Sequence, residues 1–538
     1  MSAPRARALA CALVLTFAGG VRAQQAPASA GGPTSPDNWW LLDPGADRMN
    51  GISGERAFRE LLAGLKPKRG VVVAIIDSGI DTAHAELHGS LWLNPKETAA
   101  GDGDGDGLVG DVRGWDYIGG PGGKDVDGDT FEMTRQYAAL RQRFDVPAPD
   151  TTSAQARADY AHYRELRDKV AAKRTEALAN QSQVEQIGQA IDRAMVLLRQ
   201  ALGTQPVTVD NVRKLTALRT DLAMARSAFL QLAAAGLSPA DIDRARHDAR
   251  SDLEFHLNPD FDPRPVVGDN YADVNQRAYG NSDVTGPDAM HGTHVAGIVL
   301  GVPGNREKLE DGTPAVRIMT IRAVPDGDER DKDIANGIRY AVDHGANIIS
   351  MSFGKDESPQ KSVVDAAARY ADAHGVLMVH AAGNDGANLD SATDFPNRYF
   401  LDGGQAANWM EVGASSWKGA EVLAADFSNY SKTRVDLFAP GVDILSTLPG
   451  DAHGRLSGTS MAAPVVSGVA ALLMAYFPQL TATQVRQLLL QSATSFANQL
   501  VERPGSGDNA GQVRFGDLSV SGGIVNEYAA VKAAQQVK

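Results

Sequence analysis

Three kinds of side chain that together can activate an alcohol occur in this sequence inside short runs suited to present them. Gly458-Thr459-Ser460-Met461-Ala462-Ala463-Pro464 sets a serine among small residues ahead of the apolar stretch 465–477, which reads as a buried helix. Proline is tolerated in a first helical turn, where its missing N–H has no acceptor to lose. Ser460 is therefore expected at the positive end of a helix dipole, where developing negative charge is favoured. The run 71–76 is apolar throughout and stops at Asp77-Ser78-Gly79, as a central parallel strand would deliver a carboxylate to its C-terminal edge. His291-Gly292-Thr293-His294 puts an imidazole at the start of a small-residue helix, and Asn384 follows the buried-strand pattern that ends in Ala381-Ala382-Gly383. A serine hydroxyl is a poor nucleophile until a base takes its proton, a third group orients that base, and donors await the oxyanion. The chain supplies candidates for each.

Four motifs in this order resemble those of the subtilisin-like serine peptidases, over roughly 71–110 and 285–495. The resemblance implies that Asp77 orients the imidazole, His291 is general base and then acid, and Ser460 is the nucleophile. It also implies that Asn384 and the Ser460 N–H form the oxyanion hole. Ser352-Phe353-Gly354 and Ala381-Ala382-Gly383 resemble the segments that flank the primary specificity pocket, where extended substrate backbone pairs, so extended or unfolded protein segments are the implied substrates. The chemistry then needs no cofactor. Glu86 aligns with an aspartate that ligates calcium in the family, and Phe395-Pro396 is similar to a turn with a cis proline. Lys355 stands where many relatives have a second glycine, and is expected to be a solvated surface lysine.

The elements that must position these groups alternate. Strand patterns at 316–324, 346–352, 376–381 and 410–414 are interleaved with helix patterns at 331–344 and 362–374, with Gly345 and Gly375 as left-handed helix ends. The expected fold is α/β: a doubly wound, mostly parallel sheet with helices on both faces, its site at the carboxyl edge of the strands. His294, one turn after His291, and His380, within a strand, are expected to be packed core histidines.

At 538 residues, 43% hydrophobic and 22% charged, the chain is too long for one core and ordinarily globular. Residues 1–23 read as a Sec-type signal peptide, with Arg5 and Arg7 before an apolar stretch too short to span a bilayer and Val21-Arg22-Ala23 suited to cleavage. The mature protein would be periplasmic or secreted, with no membrane span. It would carry no thiol, since the single cysteine is Cys11. Losing Arg5, Arg7 and Arg22 makes the formal net charge of −14 still more negative, which argues against nucleic acid as a partner. Residues 24–70 read as an N-terminal extension in which Trp39 and Trp40 dock on the catalytic body and Ser53 caps a helix. The catalytic domain is assigned to 71–130 and 256–538.

Between them, 131–255 turns glycine-poor and rich in Ala, Leu, Arg, Gln and Glu, the composition of an inserted helical hairpin or bundle. Its breaks fall at Pro147 and Pro149, at 203–206 and at 236–239, and 153–202 would make one rod of about 75 Å. Apolar positions including Leu166, Val170, Leu178, Val184, Ile187, Ile191 and Leu198 would pack against Val212, Leu215, Leu218 and Leu222. Such an arm is a candidate for gating, for homodimerisation, or for neither. The resemblance extends to exported bacterial peptidases that carry an insertion here together with Asn94-Pro95-Lys96-Glu97 and Gly114-Trp115-Asp116. Asp102, Asp104 and Asp106 alternate with glycines like the first half of a calcium loop, but Arg113 replaces the closing glutamate and leaves Asp111 as the nearby acid. A non-catalytic scaffold presenting the arm and an esterase sharing the machinery are the rival readings.

Overall fold

Strand β1 (Val71–Asp77) is apolar up to its last residue because both of its faces are covered. Val71, Val73 and Ile75 enter one core cluster while Val72, Ala74 and Ile76 enter another, the period-two division of a strand buried on two sides. This computed structural model describes residues 35–98, 101–216, 219–235, 237–507 and 511–537; the expected signal peptide, with Cys11, and Leu218 lie outside them.

Among the described residues, β1 joins a nine-stranded sheet with β2 (Gly114–Asp116), β3 (Val316–Arg322), β4 (Ile348–Met351), β5 (Leu377–Ala381), β6 (Trp409–Ser415), β7 (Leu437–Pro440), β8 (Thr494–Ser495) and β9 (Gly523–Ile524), in the order β8-β9-β7-β6-β5-β4-β1-β3-β2. All neighbours are parallel except β8 and β9. Among the described residues, the α-helices of 12 residues or more are, in chain order, α1 (Glu132–Phe144), α2 (Ala154–Leu202), α3 (Thr220–Ala234), α4 (Pro239–Ser251), α5 (Met290–Gly301), α6 (Asp331–Asp343), α7 (Lys361–Ala373) and α8 (Thr459–Tyr476). Helices α5 and α8 pack on the face of Val71 and Val73, and α6 and α7 on the face of Val72 and Ala74. Gly345 and Gly375 close α6 and α7 with φ of 79° and 69°, conformations open to glycine without strain. Among the described residues α8 alone is long and apolar enough to cross a bilayer, and it is wholly buried in the core.

Helix α2 runs 49 residues, a rod of about 75 Å. Leu166, Val170, Val184, Ile191 and Leu198 are buried along it, whereas Leu178 is 52% exposed. Val212, Leu215 and Leu222 pack on Leu198. Ser238 and Asp241 form a reciprocal capping box that starts α4 at Pro239. The two ends of the insertion meet: the Phe131 N–H donates to the His256 carbonyl at 2.9 Å, and their rings stack 4.7 Å apart.

The extension behaves partly as its sequence suggests. Trp39 and Trp40 are buried against the main core, with the Trp39 Nε1–H donating to the Val442 carbonyl at 3.1 Å. Ser53 does not cap the helix that follows; it is left-handed at φ 60° and its hydroxyl makes no capping bond.

Candidate active site

Parallel pairing of β1 with β4 and of β4 with β5 brings the ends of three strands to one edge of the sheet. Asp77 closes β1, Ser352 follows β4, and Ala382-Gly383-Asn384 follows β5. Helix α5 approaches this edge closely because residue 292 is glycine: a Cβ there would collide with the Gly79 carbonyl and come within 3.2 Å of Asp77 Cβ. His291, in the first turn of α5, is thereby held against the acid.

His291 Nδ1–H donates to Asp77 Oδ1 at 2.7 Å, and the Ser78 N–H donates to the same oxygen at 2.8 Å. A carboxylate on Nδ1 selects the tautomer whose lone pair is on Nε2, the form a general base needs. The Asp77 side chain is 3% exposed and the imidazole 21%. Burial works against charging that ring, but Asp77, with Asp288 adding at longer range, outweighs it and holds His291 above the ordinary imidazole range.

Ser460 is the second residue of α8. The helix starts at Thr459, so Pro464 lies inside it rather than in its opening turn. The expectation about the proline is corrected accordingly. The N–H that Pro464 lacks would have donated to the Ser460 carbonyl. That carbonyl instead accepts from Ser352 Oγ at 2.9 Å, while Ser460 Oγ donates to the Ser352 carbonyl at 3.2 Å. The exchange ties the start of α8 to the end of β4. At 3.2 Å the second bond is long for a hydroxyl donor, so the Ser460 hydroxyl is loosely held.

Asn384 is oriented through its oxygen. Oδ1 accepts from the Thr459 N–H and from Thr459 Oγ1, both at 2.9 Å, and a backbone N–H can only donate, which fixes the amide. Nδ2 is buried and has no partner among the described residues. The Ser460 N–H, near the start of a helix, likewise has no intrahelical acceptor. An oxyanion would satisfy both.

Of the six residues expected to meet substrate, Phe353, Ala381 and Ala382 are buried side chains facing the core, and the Ala382 N–H is taken by the Val412 carbonyl at 3.0 Å. Ser352, Gly354 and Gly383 carry the backbone beside Ser460 and Asn384.

Lys355 is a correction. It is buried, with Nζ 2.9 Å from Asp331, 3.3 Å from Glu132 at the start of α1, and donating to the Glu329 carbonyl at 2.8 Å. The insertion supplies the acid that makes burial of this cation tolerable, a contact with no local signal in the sequence. Both other histidines are held in the core. His294 Nε2 donates to the Ile444 and Gly454 carbonyls, and burial pushes this imidazole down to about 3. His380 lies between Glu411 Oε1 (2.7 Å) and the Phe353 carbonyl (2.8 Å). The Phe395–Pro396 peptide is cis.

The acidic loop divides. Asp104, Asp106 and Asp111 converge on His344 Nε2 at 3.4, 3.5 and 3.5 Å, and Asp104 Oδ1 is buried without a partner. Asp102 falls in an overlapping group with Glu97 and Asp104, their carboxylate oxygens within 4.8 Å of one another, and it accepts from the Gly105 and Gly107 N–H groups of its own loop. Glu86 is elsewhere and paired with cations, 2.8 Å from His453 and 3.1 Å from Arg306, so no oxygen cage forms around it. Because His344 Nδ1–H donates to the Tyr340 carbonyl at 2.9 Å, a neutral ring would turn its Nε2 lone pair toward three carboxylates. A metal ion there would relieve the repulsion.

Sequence reasoning passed over two positioning groups. Thr459 Oγ1 links Asn384 Oδ1 to the Gly383 N–H at 3.2 Å, and its adjacency to Ser460 was its only signal. Arg322, at the end of β3, donates to the Ser78 carbonyl at 2.8 Å and to Asp116 at 2.8 Å, bracing the turn that carries Asp77.

A sheet-edge acid, a helix-borne imidazole and a serine at a helix start are accompanied by a matching family model. Residues 68–513 match that of the subtilase family (peptidase S8), and the chain belongs to this family. Among its relatives, the thermophilic serine proteinase of Bacillus sp. (strain AK1) is 38% identical over 219 residues, 40% of this chain and 49% of that protein. Subtilisin BL of Lederbergia lenta is 35% identical over 210 residues, 39% of this chain and 71% of that protein. Alkaline elastase YaB of Bacillus sp. (strain YaB) is 35% identical over 235 residues, 43% and 57%. The chain thus spans about half the length of the first of these. The solved protease domain of PatA, in a mutant form, is 31% identical, with a TM-score of 0.34 over 46% of this chain and 81% of that one.

Proposed function

We propose that the chain is a serine endopeptidase that hydrolyses peptide bonds in extended or unfolded protein segments. The observation that carries the reading is the 2.7 Å pair of Asp77 and His291 on the sheet edge that also bears Ser460 and the partnerless Asn384 Nδ2. In the proposed cycle Ser460 Oγ attacks the scissile carbonyl and gives its proton to His291 Nε2. Asp77 stabilises the imidazolium, and the oxyanion accepts from Asn384 Nδ2 and the Ser460 N–H. The imidazolium then protonates the leaving amine, and water, deprotonated by the same imidazole, releases the acyl group.

A fluorophosphonate probe tests this directly. Labelling of folded protein that disappears in Ser460→Ala supports the reading; no labelling of folded protein would return the scaffold alternative. Esterase turnover with no cleavage of denatured protein would favour the ester hydrolase. Export follows from residues 1–23, and amino-terminal sequencing of secreted protein should begin at Gln24. Homodimerisation through the insertion is proposed on its exposed Leu178, Val196 and Met224, and light scattering decides it.

A structural cation is proposed at Asp102, Asp104, Asp106 and Asp111, supported by the buried Asp104 oxygen that has no partner among the described residues; Glu86 lies elsewhere. Calcium takes oxygen ligands, so the imidazole at the centre of this group competes with it for the carboxylates. A chelator that lowers Tm in the native chain but not in Asp111→Asn supports the site. An unchanged Tm in the native chain overturns the site.

A further inference from the structure

One carboxylate at the cleft has no salt-bridge partner among the described residues. A Cβ built on Gly354 would lie 2.7 Å from Asp394 Oδ1 and 3.2 Å from Oδ2, and one built on Gly383 would lie 3.1 Å from Oδ2. The Asp394 carboxylate therefore stands between the α-carbons of the two segments that flank the cleft, where neither has a side chain to cover it. Its position is pinned by backbone: the Lys355 N–H donates to the Phe395 carbonyl at 2.9 Å and the Phe395 N–H returns to the Lys355 carbonyl at 3.0 Å.

Oδ2 is buried and accepts nothing among the described residues. Three nearby cations are engaged elsewhere. Arg398 is paired with Asp436, Arg434 lies over the Tyr399 ring at 5.0 Å, and Lys355 Nζ turns to Glu132 and Asp331. Behind Asp394, Glu411 is satisfied by His380 at 2.7 Å and by the Trp409 Nε1–H at 2.9 Å, so it adds negative charge and no proton donor. Burial, with Glu411 and Asp385 adding to it, pushes the Asp394 carboxyl well above the usual carboxylate range, and a cation beside it would favour its charged form.

We propose that Asp394 is the specificity-determining residue of the cleft, selecting substrates with arginine or lysine immediately before the scissile bond. The proposal rests on the peptidase reading above and names its substrate class. A guanidinium meets a carboxylate with two parallel N–H bonds and supplies the missing charge. A neutral side chain leaves the acid unpaired, and an acidic one is repelled.

The test compares kcat/KM for peptides identical except before the scissile bond, where they carry arginine, lysine, citrulline, leucine or glutamate. Citrulline keeps the shape of arginine without its charge. The native enzyme should favour arginine and lysine over citrulline and leucine by about 10²-fold or more, the usual consequence of leaving one partner of a buried ion pair alone. Asp394→Asn should bring these rates within about tenfold of each other while still cleaving the leucine peptide. Asp394→Glu should keep the preference for cations, and the native arginine-to-citrulline ratio needs no variant at all. Benzamidine, a planar amidinium, should compete in the native enzyme and not in Asp394→Asn. Equal cleavage of the arginine and leucine peptides by native enzyme, or an undiminished ratio in Asp394→Asn, overturns the proposal. Fluorophosphonate labelling of Ser460 on each preparation separates the two failures. Labelling with a flat profile sinks this inference alone, and no labelling of folded protein sinks the peptidase reading with it.

Discussion

Thr459→Val isolates what holds the oxyanion amide in place. The substitution keeps the shape of the side chain but removes Oγ1, which donates to Asn384 Oδ1 at 2.9 Å and accepts from the Gly383 N–H at 3.2 Å. The Thr459 N–H still donates to Oδ1 at 2.9 Å, so one of two restraints on the amide survives. Losing one buried hydrogen bond is worth about 0.5–1.5 kcal/mol, and if that were felt wholly in the transition state kcat would fall by about 2–12-fold. Deleting the donor itself, Asn384→Ala, removes about 10²–10³ in kcat, a figure borrowed from subtilisin. The assay is steady-state hydrolysis of one peptide by the native chain, both single variants and the double variant. Because Thr459 acts through Asn384, its effect on kcat should vanish in the Asn384→Ala background while KM stays within about twofold throughout. An equal loss in both backgrounds, or a change confined to KM, would refute the positioning role. A separate cost in stability is expected, since the buried Gly383 N–H loses its acceptor, at about 1–3 kcal/mol by denaturant titration.

Three further outcomes are expected. The ascending limb of kcat/KM against pH should lie above the ordinary imidazole value of about 6.5, because His291 must shed a proton that Asp77 helps retain; Asp77→Asn should drop kcat by about 10⁴ through loss of the tautomer, a figure borrowed from a chymotrypsin-like triad. His294, pushed down to about 3 by burial, binds its proton more readily in the unfolded chain. Its contribution is complete above about pH 6.5 and is lost as pH falls toward 3, up to about 5 kcal/mol, so urea titrations of His294→Gln should show a shallower acid slope. Lys355→Met should destabilise the fold by about 3–5 kcal/mol at neutral pH, since Glu132 and Asp331 would face each other without the ammonium between them. A Tm within a degree of the native value would refute it.

What was legible from the residues was whatever depends on neighbours in sequence. The apolar run at 71–76, the alternating segments from 316 onward and the glycines at 345 and 375 gave the sheet and its helices, because burial on two faces and left-handed helix ends leave local composition patterns. The capping box at Ser238 and the long rod of α2 were readable for the same reason. Ser53 misled because its side-chain type suits a cap while its backbone is held left-handed by the packing of the extension. Pro464 misled because a tertiary donor, Ser352 Oγ, satisfies the carbonyl that a helix-interior proline abandons.

The amino-acid order by itself determined which residues could do the chemistry, since an acid after a buried run, an imidazole before small residues and a serine at a helix start are local arrangements. Tertiary structure alone decided which groups are charged, paired or left bare. It buried Lys355 against an acid more than two hundred residues away in the insertion, set His344 among three carboxylates, and left Asp394, between two glycines, with no salt-bridge partner among the described residues. Charge state depends on burial and on partners within a few ångströms, and no spacing along the chain encodes those distances.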